Sequence, residues 1–209
     1  NRARGIKIFG ETAAEENLNL FKLQRSFKVK VEVVDYRPEW AEMYAAEAEK
    51  IREVLGENLI EIHHIGSTAV KGLKAKPIID ILAVVSDLVS LDGKNSEFEK
   101  AGYECMGEFG IRGRRYFRKG EEIRTHQIHA FGALSAYDIE RHLAVRDYLR
   151  AHDRAAESYG KLKEKLAVLY PDDIEGYCDG KDAFVKALEK TALDWYRKNI
   201  EDRKIWKEK

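Results

Sequence analysis

The sequence predicts an α+β fold: a mixed sheet with flanking helices, followed by a C-terminal helical subdomain. Three observations carry that expectation. Ile78, Ile79, Ile81, Leu82, Val84 and Val85 form an apolar run, interrupted by Asp80, that suits a strand covered on both faces. Trp40, Tyr44, Ala48, Ile51 and Leu55 recur at helical spacing after Pro38. The last third of the chain carries successive helical stripes and no strand pattern.

Taken in order, residues 1–30 are basic, with Arg2, Arg4, Lys22, Arg25, Lys28 and Lys30. Glu11 to Leu23 has helix-forming composition. The segment reads as an extension packed on the core or on another copy, with a nucleic-acid arm as the alternative. Val29 to Tyr36 alternates as a strand would, and Pro38 to Leu55 follows as a helix stopped by Gly56. Ile60, Ile62 and His64 then share one face of a strand, with Glu61, His63 and Ile65 on the other. After the Ile78–Val85 strand, Ser86 to Lys100 reads as a loop and helix, and Tyr103 to Glu108 as a strand. Residues 109–114 form a basic loop, and Arg115 to Lys119 with Ile123 to Phe131 a hairpin.

Helices are expected over Asp138–Ala151, Asp153–Tyr170 and Asp182–Lys198. The second buries Ala155, Tyr159, Leu162, Leu166 and Leu169, and the third Phe184, Leu188, Ala192 and Trp195. The division is therefore an N-terminal extension (1–30), a sheet-based core (31–136) and a helical subdomain (137–209).

Composition narrows the classes. Basic and acidic residues balance at 37 each in a chain of 209, which argues against a general nucleic-acid coat protein. Nothing approaches the length of a membrane span, and there is no signal-peptide core. Cys105 and Cys178 lack metal-site spacing and read as free thiols in a reducing cytosol.

Four features carry candidate chemistry. Gly66-Ser67 follows a strand, where backbone amides and a hydroxyl can hold a phosphate, although Gly-Ser is also a common turn. Asp80 is a carboxylate in an apolar strand, either a metal ligand or an acid paired with Lys76 or Arg124. The residue that would complete a carboxylate pair on its face is Leu82. His126 and His129 point to opposite faces of a regular strand and cannot share one ion; His129 lies on the more polar face. Arg112, Arg114 and Arg115 sit where a glycine-flanked loop could clamp phosphate or simply face solvent. Lys161, Lys163 and Lys181 are weaker candidates. Serine-hydrolase, Walker-type and dinucleotide-binding signatures are missing from the sequence.

Several motifs together resemble the GrpB family: Val33 to Trp40 (VVDYRPEW), His64 to Val70 (HIGSTAV), Lys76 to Ile81 (KPIIDI), Arg114 to Phe117 (RRYF), Thr125 to His129 (THQIH) and Arg146 to Arg150 (RDYLR). They stand in family order from about Val31 to Tyr196. The family is similar to a domain fused to some dephospho-CoA kinases. The resemblance implies a nucleotidyltransferase-like, polymerase-beta-type sheet. It places Gly66 and Ser67 at the nucleotide-binding turn and Asp80 at the first metal-binding carboxylate. Leu82 stands where the second carboxylate would be, and His129 near the third.

Two readings follow. In one, the protein transfers a nucleoside monophosphate from an NTP to a small-molecule acceptor. Asp80 and His129 would then be catalytic, and Asp80, His129 and His64 would hold Mg2+ or Mn2+. Gly66, Ser67, Lys76, Arg114, Arg115 and Lys161 would bind the nucleotide. In the other, the chain is a non-catalytic nucleotide- or phosphometabolite-binding module with a degenerate metal site. A third, RNA-linked role would use the basic N-terminal segment and Arg112 to Arg118.

Overall fold

The structure, a computed structural model, describes residues 30–120 and 123–207. The expected N-terminal helix lies outside the described residues. Helix α1 spans Glu39–Leu55 behind Pro38, whose φ of −56° suits a helix start. Glu39 and Glu42 sit in its first turn and Arg52 in its last, in line with the helix dipole. Gly56, at φ 52°, ends it. Trp40, Ala48, Ile51 and Leu55 are buried as the stripe requires, and Tyr44 is half-buried.

Five strands follow: β1 (Leu59–Ile65), β2 (Ile79–Val85), β3 (Tyr103–Cys105), β4 (Arg114–Lys119) and β5 (His126–Gly132). Two short helices, α2 (Leu88–Asp92) and α3 (Asn95–Lys100), separate β2 from β3. The sheet order is β1-β2-β5-β4-β3. β2 and β5 run parallel, and the other pairs are antiparallel. This is the mixed sheet expected from the sequence.

Alternation along β2 divides the core. Ile79, Ile81, Ala83 and Val85 pack on one face with Ile128 and Phe117, under Trp40, Ile51, Leu55, Leu91 and Phe98. Leu82 and Val84 pack on the other with Ile65 and Phe131, against Ile139 and Leu143. Those last two residues belong to α4 (Ala136–Ala151), which leads into α5 (Asp153–Leu169) and α6 (Ile174–Lys207). The turn after β1 is sealed by these helices: Val70 and Leu73 are buried with Leu149, Ala156, Tyr159 and Leu188.

Three expected elements differ. Residues 30–36 make no strand; Val34 forms one isolated bridge with Ala75, through hydrogen bonds of 2.9 and 3.0 Å. Val31 instead donates to the Pro171 carbonyl at 2.8 Å and packs against Leu166 and Tyr177, so this segment lies against the helices. β3 stops at Cys105, where the pairing turns irregular as Gly107 takes φ 59° and its carbonyl accepts from Tyr116 N. The last helix begins at Ile174, not Asp182. Gly176 and Gly180 look like breakers, yet they are close-packing positions: an added Cβ would strike Tyr170 and Asp173 at the first and Leu166 at the second.

Cys105 and Cys178 are free thiols. Among the described residues no helix is long and apolar enough to cross a membrane.

Candidate functional site

The site begins where β1 ends. Gly66 takes φ 70° and ψ −169°, a region that essentially only glycine occupies. An added Cβ would lie on Asp80 Oδ2, so the position needs glycine for space as well as conformation. Residues Ser67–Ala69 then form one 3-10 turn.

Lys163 of α5 reaches this turn. Its Nζ donates to Ser67 Oγ at 2.8 Å and to the Lys74 carbonyl, and lies 4.4 Å from the centre of the Tyr159 ring. The residue is 3% exposed. Burial, with repulsion from Lys181 and Lys76 and only partial relief from Asp80, brings its amine down to about 7. Lys76 and Lys181 flank the buried Tyr177 ring, at 5.4 and 5.6 Å from its centre. Burial also holds Lys76 below the ordinary lysine range, partly opposed by Cys178 and Asp80. Three lysines from separate parts of the chain thus influence one another beside a Gly-Ser turn.

Asp80 and His129 share the second face of the sheet. Asp80 is registered against Ile65 and Gln127, and Leu82 against His129. His129 Nε2 lies 3.7 Å from Asp80 Oδ1. Leu82 is fully buried in the apolar cluster with Ile65, Val84 and Phe131, so it provides packing at the place of a second carboxylate.

The remaining candidates separate. His64 is registered against Ile81 and therefore points to the first face, away from Asp80. There it stacks on Tyr44 at 4.7 Å, and its Nε2 meets Thr68 Oγ1 at 3.0 Å. Burial pulls its imidazole down to about 4, against an upward pull from the Asp80 charge, which reaches it without sharing its face. The expected Asp80, His129, His64 ligand set is thus divided by the sheet. His126 also takes the first face, as the strand period requires.

Arg115 is on that face too, in a two-pronged pair with Asp92 at 2.5 and 2.7 Å, which occupies the guanidinium expected to clamp phosphate. Lys161 pairs with Glu157 at 2.6 Å on the exposed side of α5. Lying two residues from Lys163, it is turned about 200° around the helix from the site. Arg124 turns to Glu104, at 3.7 Å, and is not the partner of Asp80.

Arg114 does reach the second face. It is 6% exposed and lies 4.8 Å from the centre of the Tyr116 ring. Its Nε and Nη2 donate to the Glu108 and Phe109 carbonyls at 3.2 and 2.6 Å, and its Nη1 meets His129 Nδ1 at 3.4 Å. It supports a loop and a histidine with these contacts.

Two acids that could have joined Asp80 are engaged elsewhere. Glu61 is paired with His63 at 2.8 Å, and Glu108 accepts from Gly113 N at 2.7 Å. Among the described residues no three His, Cys, Asp or Glu side chains converge as a metal site.

The backbone of the turn is held from α4. Arg146 donates to the His64 carbonyl at 3.2 Å and Arg150 to the Ala69 carbonyl at 2.9 Å. Sequence reasoning did not assign roles to these arginines, to Tyr159, to Tyr177 or to His142. Helical periodicity marks Tyr159 as inward, but nothing in the sequence says that it lies beside Ser67.

Comparison with known proteins agrees with this architecture. Residues 30–191 match the sequence family described as GrpB protein. UPF0157 protein YqkA of Bacillus subtilis is 44% identical over 168 residues, covering 80% of this chain and 49% of YqkA. This chain therefore spans about half the length of that relative. The crystal structure of conserved protein GrpB from Enterococcus faecalis is 47% identical and superposes with a TM-score of 0.77, covering 79% of this chain and 99% of that one. A looser overlap, with a TM-score of 0.43 and 14% identity over 68% of this chain and 43% of the other, is with Cid1 in complex with its short product ApU. That overlap is too loose to transfer a reaction.

Proposed function

The chain belongs to the GrpB family, and on that footing we propose that it binds a phosphorylated small molecule at the Gly66-Ser67 turn. A nucleotide is the class implied by the family resemblance. The carrying observation is the Lys163–Ser67 contact: a buried amine and a hydroxyl meet at 2.8 Å beside Lys76 and Lys181. Such a group attracts an anion strongly, because a phosphate would return the charge that burial and mutual repulsion take from the lysines. The hydroxyl of Ser67 and the amides of its turn would supply neutral donors.

The residues do not fit a resident two-metal transfer centre. Such a centre needs carboxylates that bridge both ions. Here Asp80 stands with an apolar Leu82, His64 faces across the sheet, and Glu61 and Glu108 are engaged elsewhere. Binding by charge and hydrogen bonds is therefore favoured over transfer of a nucleoside monophosphate to an acceptor. Asp80 acts in this reading as a countercharge that limits repulsion among the lysines.

Calorimetric titration with ATP, in EDTA and then in Mg2+, tests it. ATP is expected to bind in EDTA, to weaken about 10- to 100-fold in Lys163→Met, the loss of one charge-assisted bond, and to remain measurable without metal in Asp80→Asn, which loses one ligand contact but no cation. Binding that requires Mg2+ and disappears in Asp80→Asn, with turnover of labelled NTP onto an acceptor, would establish the transfer reading instead.

A further inference from the structure

The second face of the sheet carries a polar pair whose proton positions follow from its neighbours. A guanidinium can only donate hydrogen bonds. Arg114 Nη1 meets His129 at Nδ1, at 3.4 Å, a contact that is a hydrogen bond only when Nδ1 is the accepting nitrogen. In the neutral ring the proton then sits on Nε2. That is the nitrogen facing Asp80 Oδ1. His142 packs on His129 with ring centres 5.4 Å apart, and its Nδ1 lies 2.6 Å from the Asp138 carbonyl. A carbonyl only accepts, so the proton of His142 is held there. Tyr116, tilted against His129 at 5.3 Å, completes the ring's surroundings.

We infer that Arg114 is a positioning residue that holds His129 as the Nε2–H tautomer, so that Asp80 and His129 form a clamp for a hydroxyl group and not a cation site. Asp80 can only accept and His129 Nε2–H can only donate. At 3.7 Å the two are too far apart to satisfy each other fully. A hydroxyl placed at the pair donates to one and accepts from the other. A phosphate oxygen would be repelled by Asp80. A divalent cation would meet a proton where it needs a lone pair, with the buried Arg114 guanidinium directly behind. The orientation follows the general pattern in which the partner of one ring nitrogen sets the role of the other.

The inference deepens the binding reading, since the hydroxyl would belong to the phosphorylated ligand. Its test is independent of that ligand. Long-range proton–nitrogen NMR correlation on the 15N-labelled chain at neutral pH reads the tautomer of His129 directly. The expected result is an unprotonated Nδ1 and a protonated Nε2, unchanged when Zn2+ is added as a cation that seeks imidazole. An Nδ1–H tautomer, a doubly protonated ring, or an Nε2 signal that moves to a metal-bound position with Zn2+ would overturn it. Arg114→Met, which keeps an apolar stem over Tyr116, is expected to give mixed tautomers. A single Nε2–H tautomer in that folded variant would overturn the positioning role of Arg114. Should the variant not fold, the wild-type measurement decides alone. Failure of ATP to bind would count against the binding reading without altering the tautomer result.

Discussion

Lys163 Nζ donates to Ser67 Oγ at 2.8 Å across 96 positions of sequence. The bond joins the last turns of α5 to the turn after β1, and it uses an amine held at about 7. Near neutral pH the free protein therefore carries this amine in both protonation states, and a bound phosphate would favour the charged one. Binding of ATP at pH 7.5 is expected to take up a fraction of a proton. Titrations in buffers of different ionisation enthalpy measure that uptake. The uptake should vanish in Lys163→Met, and release of protons would contradict the assignment.

The same amine makes stability depend on pH with a definite sign. Unfolded, it holds its proton up to the ordinary lysine value of 10.5; folded, it loses it at about 7. Between those values the unfolded chain binds more protons, so stability contributed by this group rises with pH. Relative to Lys163→Met, the wild type should gain up to about 1.4 kcal/mol per pH unit between pH 7 and pH 9. Urea unfolding of both proteins at the two values gives the difference, in which other titrating groups cancel.

Gly66→Ala should cost about 2 kcal/mol or more. The new Cβ meets Asp80 Oδ2 and the backbone is held in a glycine-only region. Ser67→Ala, at the next position, adds no clash and should unfold at a urea concentration closer to wild type. Equal losses in the two variants would show that the turn relaxes around the added methyl.

Arg115→Ala should leave ATP affinity within about twofold while lowering stability by about 1 kcal/mol or less, as expected for a partly exposed ion pair. Calorimetry and thermal unfolding on one preparation separate the two effects. A large loss of affinity would place Arg115 at the ligand after all.

The residues legible in the sequence are those whose signal is local. The apolar run of β2, the stripe of α1 and the opposition of His126 and His129 all follow from period alone. Asp80 and Leu82 are adjacent on one strand face, so the broken carboxylate pair is also visible. Choosing Lys163 over Lys161 is a different matter: both sit on one helix, and which face meets Ser67 depends on how α5 packs. Grouping His64 with Asp80 requires both on one face, whereas the antiparallel register pairs His64 with Ile81 and Ile65 with Asp80, which puts them on opposite faces. Arg115 and Asp92 lie far enough apart in sequence that no local rule pairs them. The early start of the last helix has no local signal, because glycine weakens a helix by itself, whereas Tyr170 and Leu166 fill the space that side chains at Gly176 and Gly180 would take.

The parallel seam between β2 and β5 has a consequence for folding. β1 with β2, and β4 with β5, are antiparallel pairs between strands near in sequence, but the seam joins Ile79 to His126 across the widest chain separation in the sheet. Closing it carries the greater loop entropy, so it is the slow pairing. Asp80 and His129 stand on opposite sides of it. A chain with the three antiparallel pairs formed and the seam open would hold most of its strand hydrogen bonds and none of the clamp, which makes the Asp80–His129 approach a reporter of the closing of that seam.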